Sequence, residues 1–146
     1  MPSVHVRGTL PTTASPEQVW GVFSKVEGWR TWDWMGMADA AWLSGEPWSE
    51  GSVIRVGHRP FVFDCVIEEC SPPHRVTWDG RGARVEARHT YRFDPHERGC
   101  LIVSEETFSG PLARTILPLV RWYWHRHLLG LRRHAETGGA VSAPQR

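Results

Sequence analysis

The chain has 146 residues, enough for one domain with one sizeable core, and its 17 Lys+Arg stand against 16 Asp+Glu. So even a charge balance argues against duplex nucleic acid as a partner. Nine tryptophans are many for this length, while the three cysteines, Cys65, Cys70 and Cys100, lack CxxC spacing and read as reduced thiols of a cytoplasmic protein rather than a disulfide framework.

The N-terminal stretch "MPSVHVRGTL" lacks the apolar run of a signal peptide, and no later segment is apolar enough to span a bilayer. Val4, Val6, Thr9 and Leu10 predict an opening strand. Ser15, Pro16 and Gln18 then supply a capping box with proline in the first turn, so a helix starts there. Its apolar face is Val19, Trp20, Val22, Phe23 and Val26, and Gly28 is the expected stop. The run "VEGWRTWDWMG" follows, and its tryptophans Trp29, Trp32 and Trp34 fit neither a helix face nor one strand face.

From Ala38 to Phe108 turn-forming clusters separate short strands, the pattern of an antiparallel meander. Between Arg84 and Phe93 the alternation is clearest: Val85, Ala87, His89, Tyr91 and Phe93 share one face, and charged or polar residues the other. The charged face is expected to pair with Asp64, Glu68 or Glu105. In the last strand either Ile102, Ser104, Glu106 and Phe108 or the opposite set faces inward; the pattern alone leaves both open.

Helical periodicity returns after Gly110, with Ile116, Val120, Trp124, Leu128, Leu131 and Ala135 on one stripe and Arg114, Arg121, His125 and Arg132 opposite. Pro118 is expected to begin the main helix after a short first segment, and that helix to end near Glu136. One domain over residues 1–137 and a disordered tail over 138–146 complete the expected organisation.

This order, together with "SPEQVWGVFSKVEGWRTW", "VTWDG", "HTYRF" and "EETFSGPL", resembles the SRPBCC superfamily, which includes START-type lipid carriers, birch-pollen-allergen-like proteins and the polyketide cyclase/dehydrase group. The resemblance implies an α+β helix-grip fold: a curved antiparallel sheet around a long C-terminal helix, with a cavity for a small hydrophobic or amphipathic molecule. It also favours the inward set containing Ser104 and Glu106, by aligning the "ETFSG" carboxylate with a recurring acidic position.

On that frame His89, Tyr91 and Glu106 are the candidate catalytic residues, because an imidazole beside a carboxylate can exchange protons near neutral pH and a phenol can orient a carbonyl. Trp32, Trp34, Trp78, Ser104, Phe108, Arg114, Tyr123 and Trp124 are the candidate ligand contacts, with Trp32 and Trp34 as the cavity rim and Arg114 facing a ligand carboxylate at its mouth. His125 and His127, two apart on a helix, point away from each other, so no metal site is expected, and no cofactor motif is present. Three functions remain open: a carrier of a polyketide, lipid or aromatic metabolite, a cofactor-independent cyclase or dehydratase, and an interaction module packing on a partner or on itself as a homodimer.

Overall fold

The computed structural model describes residues 3–33, 39–58, 61–82 and 84–142. Seven strands form one antiparallel sheet: β1 (Ser3–Thr12), β2 (Asp39–Ser44), β3 (Val53–His58), β4 (Phe61–Ser71), β5 (Arg75–Gly82), β6 (Val85–His96) and β7 (Gly99–Ser109). Their spatial order is β1-β7-β6-β5-β4-β3-β2, so the meander from β2 to β7 is closed by β1 adding to its last strand. The helices α1 (Pro16–Phe23), α2 (Trp29–Trp32) and α3 (Ala113–Ser142) cover one face. The expected helix-grip architecture is the one observed.

The capping box forms as the sequence predicts: Gln18 N–H donates to the Ser15 hydroxyl at 3.1 Å, and Ser15 N–H donates to the Gln18 side chain at 2.8 Å. The helix ends sooner than Gly28, however, at Phe23. Lys25 leaves helical backbone at φ −90° and ψ 78°, and Val26–Gly28 form a separate 3-10 turn. Two tryptophans explain the early stop. Trp29 Nε1 donates to the Phe23 carbonyl at 2.8 Å and Trp48 Nε1 to the Ser24 carbonyl at 3.0 Å, taking acceptors that the end of a helix leaves free. Bending there also lets Trp29 pack on Phe23, whose ring lies 4.7 Å from Tyr91 and 5.4 Å from Phe93.

β6 shows the predicted alternation, with Val85, Ala87, His89, Tyr91 and Phe93 all buried. Across from it, Ile102, Ser104, Glu106 and Phe108 of β7 are buried too, which settles the inward set. On the outer face Arg88 pairs with Glu68, and Arg92 with Glu105 at 3.0 Å, as expected. Asp64 instead pairs with Arg55 of β3 at 2.6 Å, because β3 and not β6 is its register neighbour. The guanidinium holds this carboxyl below its ordinary range.

α3 is longer than expected in both directions. It runs for 30 residues through Pro118 and through Gly138, so the boundary at Pro118 and the start of a tail at residue 138 are both corrected. Pro118 is tolerated because it is the sixth residue of the helix: the carbonyl it leaves without a donor belongs to Arg114, and both residues are exposed to water. Glu136 ties the far end to β1, accepting from the Thr12 hydroxyl at 2.6 Å and the Thr13 N–H at 3.2 Å. At Gly130 the helix meets α2 so closely that a Cβ there would collide with the Trp32 carbonyl oxygen.

Candidate functional site

The inner face of the sheet is apolar except around His89. The register sets His89 opposite Glu106 and Tyr91 opposite Ser104. Since Ser104 and Glu106 are two apart on one strand, both reach the imidazole from the same side. His89 Nδ1 lies 3.3 Å from Glu106 Oε2, and His89 Nε2 lies 2.7 Å from Ser104 Oγ. The Tyr91 ring stacks on the imidazole at 4.1 Å and 18°, and Trp124 meets it edge-on at 5.4 Å. Packing on two sides, the hydrogen bond to Ser104 and the contact with Glu106 hold this ring in one orientation.

A cavity of about 40 Å³ lies beside it, between β3 to β7 and α3. Phe61, Phe63, Cys65, Trp78, Phe108 and Trp124 supply most of its apolar wall, and His89, Glu106 and Tyr123 bring the polar atoms. Gly80 leaves this space open, since a Cβ there would lie 2.7 Å from Cys65 Sγ. The volume admits a few water molecules, against roughly 300–1,000 Å³ for a drug-sized ligand, so a larger guest has to push the wall outward. Leu119 is the natural place, for it lines the cavity while 44% exposed.

The candidate residues divide cleanly. Trp78, His89, Glu106, Phe108, Tyr123 and Trp124 all reach the cavity wall. Ser104 stands just behind, hydrogen-bonded to His89 and facing an outer groove between β1, β7 and α3. Tyr91 is not in the wall: it is fully buried behind His89, its hydroxyl has no hydrogen-bond partner among the described residues, and burial pushes its pKa well above the ordinary tyrosine value. Arg114 is exposed in the first turn of α3 and is not in the cavity wall. Trp32 is corrected from rim to core. It is 5% exposed, packed on Trp29 at 5.8 Å and on His127 at 4.8 Å, because α2 folds it inward against α3. Trp34 lies outside the described residues.

A second histidine–carboxylate pair was not anticipated. Asp33, at the end of α2, accepts from the Tyr123 hydroxyl at 3.2 Å and lies 2.7 Å from His127 Nδ1. Both members of the Asp33–His127 pair have side chains at 0% exposure. Burial pushes His127 below its ordinary value of 6.5 despite the opposing pull of Asp33, and pushes Tyr123 upward. A signal for His127 existed: Val120, Tyr123, His127 and Leu131 recur at helical intervals beside the stripe identified from sequence. Asp33, the polar residue between Trp32 and Trp34, carried none.

Solved structures of the same fold bear little sequence likeness to this chain. Protein MLL2253 from Mesorhizobium loti is 15% identical, with a TM-score of 0.74 over 92% of this chain and 98% of its own. Ara h 8.0201 is 11% identical, with a TM-score of 0.75 over 93% of this chain and 99% of its own. The di-domain ARO/CYC StfQ from the steffimycin biosynthetic pathway is 10% identical with a TM-score of 0.77, and the match takes in 94% of this chain but 52% of StfQ. Comparison with curated proteins gave no match. The sequence itself matches the family described as polyketide cyclase / dehydrase and lipid transport over residues 3–136, nearly its whole length, and the chain belongs to that family.

Proposed function

We propose that the protein binds a small hydrophobic or amphipathic molecule, a polyketide, lipid or aromatic metabolite, between the sheet and α3. One observation carries this reading: an otherwise apolar cavity into which His89, Glu106 and Tyr123 converge. The apolar wall supplies affinity and the polar trio fixes orientation. The molecule acts in the cytoplasm on this reading, with its cysteines reduced.

Titration with an anionic naphthalene dye, read by tryptophan quenching from Trp78 and Trp124, tests the reading. Saturable one-to-one binding is expected, and Leu119→Trp, which fills the outer wall at a half-exposed position, should weaken it at least tenfold without lowering the melting temperature. Absence of saturable binding to the unmodified protein would refute the proposal.

The contact between His89 and Glu106 at the wall favours a second reading, cofactor-independent cyclisation or dehydration of a bound polyketide. His89 then transfers the proton and Glu106 orients it, while Tyr123 takes the position on the wall that sequence reasoning gave to Tyr91. His89→Gln separates the two readings. An enzyme of this kind folds and binds as the variant but loses on the order of a hundredfold or more in turnover, whereas a carrier shows a modest change in affinity.

A further inference from the structure

The His89 cluster borders two spaces. Glu106 and Trp124 line the inner cavity, and with Ser104 they also line an open groove of about 560 Å³ bounded by β1, β7 and α3. We propose that Ser104, His89 and Glu106 are a nucleophile, base and carboxylate relay opening onto that groove, able to cleave esters or thioesters with an apolar acyl chain.

One tautomer of His89 makes Ser104 the donor. In the tautomer that carries its proton on Nδ1, that proton is on the nitrogen 3.3 Å from the Glu106 carboxylate. His89 Nε2 is then the acceptor, and the Ser104 hydroxyl must donate to it across 2.7 Å. That is the ground state of an activated serine: the nucleophile bonded to its base and the base oriented by a third group. Tyr91 stacked on the imidazole blocks its rotation. The three residues are 7%, 1% and 9% exposed, so the relay is shielded from bulk water, but Ser104 reaches the groove.

Access to the hydroxyl follows from β1. Gly8 is the register partner of Ser104, and the nearest atom to a Cβ built on Gly8 is Leu128 Cδ1 at 3.8 Å. Glycine therefore leaves the approach to Ser104 uncovered. Leu117, Pro118 and Leu128 make an apolar bed for an acyl chain, and Arg121 and His125 stand on the helix wall of the groove. Among the described residues no carboxylate pairs with Arg121, so its charge is available to the oxyanion of a tetrahedral intermediate or to an anionic leaving group.

In the first step Ser104 Oγ bonds to the acyl carbon while its proton passes to His89 Nε2. The bond from that carbon to the leaving oxygen or sulfur breaks, and His89 returns the proton to the leaving group, releasing an alcohol or thiol. Water then attacks the acyl-serine, His89 takes and returns its proton, and the carboxylic acid departs with Ser104 restored. Ester and water give acid and alcohol; no oxidant or metal enters the balance.

The test treats the full chain with a fluorophosphonate, locates any adduct by mass spectrometry and follows p-nitrophenyl butyrate hydrolysis in parallel. One adduct on Ser104 is expected. Ser104→Ala should form none and lose on the order of a hundredfold or more in turnover, while still binding the naphthalene dye in the cavity. Glu106→Gln should move the pH midpoint of acylation downward, because the imidazolium loses its neighbouring charge, and Glu106→Asp should restore part of the rate. An unlabelled native protein, an adduct confined to other residues, or undiminished turnover by Ser104→Ala would each overturn the relay. The relay shares two residues with the cavity reading but fails separately from it: absence of dye binding counts against the cavity alone, and absence of a serine adduct against the relay alone.

Discussion

Two histidine–carboxylate pairs stand on the inner side of one sheet, and their surroundings give them opposite uses. His89 and Glu106 border a cavity and a groove, and both nitrogens of His89 have partners. His127 and Asp33 are sealed, walled by Trp29, Trp32, Tyr123 and Trp124, and His127 Nε2 has no partner among the described residues. The same two functional groups, imidazole and carboxylate, are thus reachable chemistry in one place and a fastening between α2 and α3 in the other. Contact with open space, more than residue type, distinguishes them.

Removing the wall of the sealed pair is the severest way to break this contrast. Trp32→Ala deletes a buried indole between α2 and His127 and should cost about 3–5 kcal/mol, seen as a fall in the urea midpoint at unchanged slope. A stable variant with weakened dye binding would return Trp32 to the cavity rim. Next comes the fastening itself. Asp33→Ala removes the acceptor of the Tyr123 hydroxyl and strands the buried His127 Nδ1, a loss of about 3 kcal/mol, or a drop of roughly 10 °C in melting temperature for a domain of this size. An unchanged melting temperature would mean that the pair holds nothing.

Acid should act on the sealed histidine in the same direction but more gently. The folded-state pKa of His127 lies below its ordinary 6.5, so the unfolded chain takes up the proton first. The stability linked to it is therefore complete above about pH 6.5 and declines as pH falls below that value, by up to about 1.4 kcal/mol per pH unit. His127→Gln should flatten that decline; an equal decline in the variant would assign the effect elsewhere. The smallest change belongs to the accessible pair. His89→Gln retains one hydrogen bond to the cluster and should cost no more than about 1.5 kcal/mol in thermal unfolding. A loss as large as that of Asp33→Ala would erase the distinction between the two pairs.

The accessible pair was legible in the sequence because local rules govern it. Alternation along Arg84 to Phe93 put His89 inward, and the family resemblance favoured the set that brings Glu106 and Ser104 to it. The sealed pair was not, since Asp33 and His127 are 94 positions apart and only the folding of α2 against α3 joins them. The same long-range contact moved Trp32 from rim to core. Boundaries failed for a related reason: α1 stops where indoles from Trp29 and Trp48 capture its last carbonyls, and Trp48 belongs to the loop between β2 and β3, beyond the reach of any local pattern.

Cys65 gives the narrow cavity a built-in chemical reporter. Its thiol lines the wall at 1% exposure, and burial raises its pKa far above that of a free thiol. Cys70, half-buried, is raised only to about 11. Alkylating reagents attack the thiolate and need a path to it, so Cys70 should react first and Cys65 only during excursions that part Leu119 and its neighbours from the sheet. Its slow modification rate is thus a clock for how often the grip loosens, readable before any cargo is known.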